Sequence, residues 1–235
     1  MQMLGVDIGG SGIKGCLVDT ETGELIGERH RLVTPQPATP AAVAHTLKAL
    51  VEHFQWKGPV GCGFPATIHN GIAKNASNID KSWIETDAAH LFADVTGLPC
   101  HVLNDADAAG LAEMRFGTGR DRKGVIILIT VGTGIGTAVF VNGQLLPNTE
   151  LGHLILEGMV AEHYCSDAVR GSSMPRDWRD AVAWSLRVRS ACTARNPRMA
   201  MPLRSWWPLA WMLLAIGEAK LEKRLPEYPC KIVWP

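Results

Sequence analysis

Two acids sit where apolar runs break, Asp7 after "MLGV" and Asp105 after "HVLN". A carboxylate at the end of a buried strand can take a proton from a hydroxyl or help hold a metal ion. Asp7 opens the stretch "DIGGSGIK" (7–14), which packs Gly9, Gly10, Ser11, Gly12 and Lys14 into one turn between two strand-like pieces. That turn reads either as a β-hairpin needing positive φ angles or as a phosphate cradle. The pattern returns in "TVGTGIGTAVF" (130–140), with Thr130, Gly132, Thr133, Gly134 and Gly136. Two such turns, each aiming backbone N–H groups at an anion, could grip one polyanion from both sides. A strand rather than a helix follows each turn, which sets both apart from Walker A and dinucleotide-binding loops.

Three further segments carry polar groups. In "LNDADAAG" (103–110), Asn104 and Asp105 stand at a strand-to-helix junction, where either also suits a helix N-cap. In "TELGHLILEG" (149–158), Glu150 and His153 could bind neighbouring sugar hydroxyls, or form a plain surface pair. "ASNIDKSW" (76–83) offers Asn78, Asp80 and Lys81 and taken alone is an ordinary polar loop. Together, two phosphate turns, an acid at a strand end and an Asn/Glu/His set describe a sugar kinase. Phosphoryl transfer needs positioning and charge neutralisation more than covalent chemistry.

The elements that must place these groups follow from periodicity. Strands are expected at 4–7, 15–19 and 24–33, with a turn at "TETG" (20–23). Thr39 and Pro40 suit the N-cap and first position of a helix over 41–54, with Val43, Leu47, Leu50 and Phe54 on one face. A strand enters a loop at 59–66, and helices close on Gly97 and Gly117. A buried strand at 99–105 and a strand–turn–strand unit at 124–143 complete the set. The apolar run from Val125 to Val131 marks a central strand.

The chain has 235 residues and zero formal net charge, so bulk charge points to neither nucleic acid nor membrane. No basic, apolar leader precedes the first strand, and no apolar run is long enough to span a bilayer. The six cysteines show no CxxC spacing, so zinc and disulfides are not expected, and a cytoplasmic location is.

The segments "GVDIGGSGIKG", "GFPA", "NIDKSW", "LNDADAAGLAE", "TVGTGIGTAVF" and "ELGHL" resemble, in this order, the ROK family of sugar kinases, and most of all its polyphosphate-using members. The resemblance spans roughly residues 3–170. It implies an α/β chain with an actin/hexokinase-like (ribonuclease H-like) ATPase fold of two lobes, each with a mixed sheet. By that likeness residues 1–103 form the N-terminal lobe and 104–170 begin the C-terminal one. The implied reaction moves a phosphoryl group from inorganic polyphosphate, or ATP, to the 6-hydroxyl of glucose, with Mg2+. ATP-dependent hexose or N-acyl-hexosamine kinases, and a non-catalytic sugar binder or inactive product of a damaged gene, are the alternatives. On this likeness Asp105 is the catalytic base, and Asn78, Asn104, Glu150 and His153 join it around the sugar. Asp7 acts near Mg2+ through water, and the two glycine turns hold phosphates. Lys81 and the cluster Arg120, Arg122 and Lys123 are candidate polyphosphate contacts, because a long polyanion needs more cations than one triphosphate. A Cys-rich zinc stretch seen in many relatives is missing after His153, where only Cys165 stands.

The composition changes near Arg170. Residues 1–170 carry 12 Lys+Arg and 18 Asp+Glu (12 − 18 = −6), and residues 171–235 carry 11 and 5 (11 − 5 = +6). Six of eight tryptophans fall in that tail, which has no glycine between Ser172 and Ile216. The pattern expected of the family, a buried strand ending in a glycine-rich turn, is not there. A shift of reading frame near codon 170 accounts for the change. The rival is a divergent tail that forms a homodimer surface around Trp206, Trp207 and Trp211.

Overall fold

The computed structural model describes residues 1–77, 79–131, 134–156, 158–165 and 230–233. A first sheet of five strands has the order β3-β2-β1-β4-β7. β1 (Gln2–Ile8), β2 (Ile13–Asp19) and β3 (Leu25–Leu32) run as an antiparallel meander, while β4 (Val60–Phe64) and β7 (Cys100–Asn104) pair in parallel on the other side of β1. The register sets Asp7 directly opposite Lys14, and Lys14 directly opposite Arg31. Every strand expected in this region forms, with ends shifted by a residue or two.

Helix α1 (Pro40–His53) covers this sheet. Thr39 Oγ1 accepts the Ala42 N–H, and Pro40 takes the first turn, where no amide donor is needed. Val43, Leu47 and Leu50 are fully buried, and each such leucine contributes about 2 kcal/mol through removal of apolar surface from water. Helix α2 (Ala88–Thr96) starts at Asp87, which caps the His90 N–H, and stops at Gly97 with φ 71°. Between α1 and α2, β5 (Ile68–His69) and β6 (Ile72–Ala73) form a short hairpin. The "NIDKSW" segment is not a plain polar loop: Trp83 is fully buried against Phe64 and Phe92, with ring centroids 4.6 and 5.8 Å away. Its indole N–H donates to the Ala38 carbonyl at 2.8 Å, which fixes Trp83 on the core.

The second sheet has the order β10-β9-β8-β13. β8 (Val125–Val131) and β9 (Ile135–Val141) form the expected antiparallel pair, and β10 (Gln144–Leu146) extends it. β13 (Cys230–Val233), not anticipated from the sequence, lies parallel to β8. Residues 171–229, with Trp206, Trp207 and Trp211, lie outside the described residues. Helix α3 (Asp105–Phe116) starts at the end of β7 in the first sheet and packs on β9 in the second. Gly110 permits this, because a Cβ there would stand 2.6 Å from Ala138 Cβ and 2.9 Å from the Phe140 ring. The small pair β11 (Ile155–Leu156) and β12 (Met159–Val160) leads into the short helix α4 (Glu162–Cys165).

Candidate functional site

Asp105 occupies the junction between the two sheets. Asn104 is the N-cap of α3: its Oδ1 accepts the Asp107 N–H at 3.0 Å, and its Nδ2 donates to the Ala66 carbonyl at 3.2 Å. With Asn104 as the cap, Asp105 begins the helix with its carboxyl accepting its neighbour's Ala106 N–H at 2.8 Å. Asp105 is reached by solvent, yet protein crowds its carboxyl on most sides. Lost hydration first, and the charges of Asp7 and Glu150 after it, push its pKa up to about 7, against the pull of the Ala106 bond.

On one side of Asp105 stands the first glycine turn. Gly9 N–H donates to the Gly12 carbonyl at 3.1 Å, closing the β1–β2 hairpin. None of its glycines has a left-handed φ, so the positive-φ explanation expected for this turn does not hold. Close approach bears on two of them. A Cβ at Gly12 would displace the guanidinium end of the Arg31 side chain, and one at Gly9 would make a tight contact of 3.2 Å with the Gly12 carbonyl. A Cβ at Gly10 would meet nothing within 4 Å. The turn is tied from behind: Thr34 Oγ1 donates to Gly9 O at 2.5 Å, Gln36 to Gly10 O at 3.4 Å and Arg31 to Ser11 O at 2.6 Å. The N–H groups of Gly10, Ser11 and Gly12 have no protein partner among the described residues. Tied carbonyls and unpartnered amides are what an anion-binding nest would require of this turn. Beneath it, Lys14 Nζ stands 3.6 Å from Asp7 Oδ2. Burial raises the pKa of Asp7, with Lys14 opposing, and burial lowers that of Lys14, with Asp7 opposing.

The second glycine turn approaches from β8 and β9. Gly132 and Thr133 lie outside the described residues. Gly136 pairs with Thr130 across the hairpin, and a Cβ on it would stand 2.5 Å from Thr130 Oγ1 and 2.9 Å from Ala106 Cβ. Gly136 in β9 therefore lies against Ala106 in the first turn of α3, next to Asp105.

On the other side of Asp105 runs a chain of polar groups. Asn75 and Thr67 bind each other through two bonds of 2.9 Å. Thr67 Oγ1 donates to Glu150 Oε1 at 3.4 Å, and Glu150 Oε2 lies 3.8 Å from His153 Nδ1. His153 Nε2 lies 3.6 Å from Glu162 Oε1, whose other oxygen accepts the Ile135 N–H at 3.4 Å. Glu162 was not found by sequence reasoning, because nothing within "AEHYC" marks it. Gly152 has to be glycine, since a Cβ would collide with the Ile135 carbonyl. Thr137 holds the Glu150 turn to β9, with its hydroxyl bonded to the Thr149 carbonyl and accepting the Leu151 N–H at 3.1 Å.

A clasp joins this chain to the β5–β6 hairpin. The Asn148 side chain grips both backbone groups of Ile68, each at 2.9 Å, and its own N–H donates to Asp107 Oδ2 at 2.7 Å. Asn148 has φ 59°, a left-handed conformation that asparagine tolerates better than most residues.

Asn78 lies outside the described residues. Lys81 Nζ donates to the Ala76 carbonyl at 2.7 Å, bracing the loop that carries Asn78. Arg120, Arg122 and Lys123 are exposed beyond the far end of α3, about 16 Å of helix from Asp105. The structure does not bring them to the other candidates. Among the described residues no three His, Cys, Asp or Glu side chains gather into a metal-binding group. No helix among them is long and apolar enough to cross a membrane.

Comparison with known proteins places these motifs in context. A model of the ROK family matches residues 3–171. A polyphosphate glucokinase of Mycobacterium tuberculosis (strain H37Rv) is 50% identical over 175 residues, which cover 74% of this chain and 65% of that protein. The chain thus matches just under two thirds of that relative's length. A crystal structure of an inorganic polyphosphate/ATP-glucomannokinase from Arthrobacter sp. strain KM superposes with a TM-score of 0.75 at 43% identity, covering 79% of this chain and 77% of that one. A ROK family glucokinase from Streptomyces griseus, in complex with glucose and AMPPNP, gives a TM-score of 0.64 at 28% identity, covering 72% and 58%.

Proposed function

The chain belongs to the ROK family and has the actin/hexokinase-like fold of its solved relatives, and from that premise we propose that it transfers a phosphoryl group from inorganic polyphosphate, or from ATP, to the 6-hydroxyl of glucose, giving glucose 6-phosphate. The observation that carries the proposal is Asp105. Its carboxyl, with a pKa of about 7, is near enough to Asp7 beneath the first glycine turn and to Glu150 for both charges to act on it. A base of that strength is half ionised near neutral pH and can accept the hydroxyl proton as the oxygen attacks.

In this reading Asn78, Asn104, Glu150 and His153 hold the sugar, with Glu162 orienting His153 from its far side. In the turn closed by Gly9, the free amides of Gly10, Ser11 and Gly12, together with Lys14, take one end of the donor. Thr130, Gly132, Thr133, Gly134 and Gly136 take the other, and Lys81 is a further cation at the sugar loop. The acceptor hydroxyl and the terminal phosphorus then meet in line beside Asp105, which is where charge neutralisation and orientation lower the barrier.

Mg2+ fits this site only as an ion held mainly by the donor phosphates. Asp7 is the one buried carboxylate beneath the nest, and Lys14 already stands at 3.6 Å, so no protein cage forms around it. Mg2+ commonly binds through one or two carboxylates, water and substrate phosphates, and Asp7 would serve through water. When bound, the ion would neutralise charge on the transferring phosphates. The buried free thiols Cys16, Cys62 and Cys100 suit a reducing cytoplasm.

The tail 171–235 is best read as the product of a frame shift, and the end of the family match at residue 171 supports this. Translating the other two frames of the gene tests it: neither restoring a strand and a glycine-rich turn ends the idea. Asp105→Asn tests the catalytic reading. Glucose 6-phosphate formation should fall at least about a hundredfold with glucose binding kept, and near-normal turnover rules Asp105 out as the base.

A further inference from the structure

The edge strand β3 carries a feature that the catalytic reading leaves unused. Lys14 and Arg31 sit directly opposite each other on β2 and β3, so two like charges face across one rung of the ladder. Such a pair is unfavourable unless an anion lies between or beside it. Asp7 offsets Lys14. Arg31 has no acidic partner among the described residues; its guanidinium lies across Gly12 and donates to the Ser11 carbonyl at 2.6 Å. One N–H of its five is then committed to the turn, and others are available to an anion.

Arg29, two residues back along β3, lies where the β2–β3 ladder shifts register beyond His30. It too is exposed and unpaired among the described residues, and it is near enough for its charge to weigh on Lys14. Glu28, its neighbour in sequence, is exposed and makes no ion pair among the described residues. Lys14, Arg31 and Arg29 therefore form a file of cations that starts at the free amides of the first glycine turn and runs out along the sheet edge. A triphosphate would be served by the nest and Lys14 alone. A file of unpaired guanidinium groups suits a longer anion with a regular charge repeat.

We propose that Arg31 and Arg29 form a track for the distal phosphates of a polyphosphate chain, leading away from the first glycine turn. The track rests on the reading of polyphosphate as donor, so its test begins with binding rather than turnover. Long-chain polyphosphate is titrated into the unaltered protein and into Arg29→Gln, Arg29→Glu and the charge-matched control Lys57→Gln, without glucose, at two salt concentrations. Arg29 makes no bond to the turn, so these variants leave the nest in place, and circular dichroism checks their fold. Arg29→Gln should weaken long-chain binding about fivefold and Arg29→Glu further, with a shallower dependence on salt. ATP binding should stay within about twofold, and Lys57→Gln should change neither. Equal losses for both donors, unchanged long-chain binding in Arg29→Glu, or no polyphosphate binding by the unaltered protein would each overturn the track. Arg29-dependent binding without any glucose 6-phosphate formation would uphold the track and sink the phosphoryl-transfer reading instead.

Discussion

Asn148 offers a sharp test of how the sugar side is held. It lies 80 residues from Ile68 in sequence, yet its side chain makes two 2.9 Å bonds to the backbone of that residue. Ile68 is only 8% exposed, so water cannot fully replace those bonds. Each contributes about 1 kcal/mol, giving about 2 kcal/mol for the pair. Alanine at φ 59° adds about 1 kcal/mol of backbone strain, so Asn148→Ala should cost about 3 kcal/mol in all. Asn148→Gly removes the bonds but accepts the backbone angle, and should cost about 2 kcal/mol. Asn148→Asp keeps an acceptor for the Ile68 N–H but sets a carboxylate against the Ile68 carbonyl. Urea unfolding measures all three, and with a slope of about 2 kcal/mol/M the alanine variant should lose about 1.5 M in midpoint. The glucose KM should rise in step, because Glu150 is two residues away. A loss below about 0.5 kcal/mol in Asn148→Ala would show that the clasp does not form. A glycine variant no better than alanine would refute the role given to the backbone angle.

Two further outcomes follow from the site. The kcat/KM for glucose should rise with unit slope below pH about 7 and level off above it, since the free protein must carry Asp105 ionised. Because this folded pKa lies above the ordinary value of 3.8, the native state holds more protons than the unfolded chain between pH about 4 and about 7. The contribution of Asp105 to stability therefore declines as pH rises through that window, and Asp105→Asn should flatten the decline in pH-dependent thermal unfolding. Gly136→Ala places a Cβ 2.5 Å from Thr130 Oγ1 and 2.9 Å from Ala106 Cβ, so about 1–3 kcal/mol of overpacking strain is expected. Its kcat should fall while the glucose KM holds, and an unchanged kcat would show that the turn does not bear on Asp105.

Local patterns carried much of the fold into the sequence. The Thr39–Pro40 start of α1 and the Gly97 stop of α2 were legible because capping chemistry sits within a few residues. The paired glycine turns were legible as a repeat. What the first turn's glycines do was not: they relieve contacts with Arg31 and the Gly12 carbonyl rather than adopt positive φ, and a contact across 19 residues leaves no local mark. The grip of Asn148 on Ile68 spans 80 residues, so composition and periodicity are silent about it. Trp83 looked like part of a polar loop, since one buried ring among polar neighbours has no period to reveal it. Glu162 and Arg29 were missed for the same reason: their meaning comes from His153 across a turn and from Lys14 across a ladder.

The most direct test of phosphoryl transfer to glucose is to incubate the purified chain with glucose, Mg2+ and long-chain polyphosphate, and separately with ATP, and to follow glucose 6-phosphate beside Asp105→Asn. Product from polyphosphate that disappears in Asp105→Asn is the result expected here. A folded protein that binds glucose yet forms no product from either donor, or an Asp105→Asn variant that turns over normally, would contradict it.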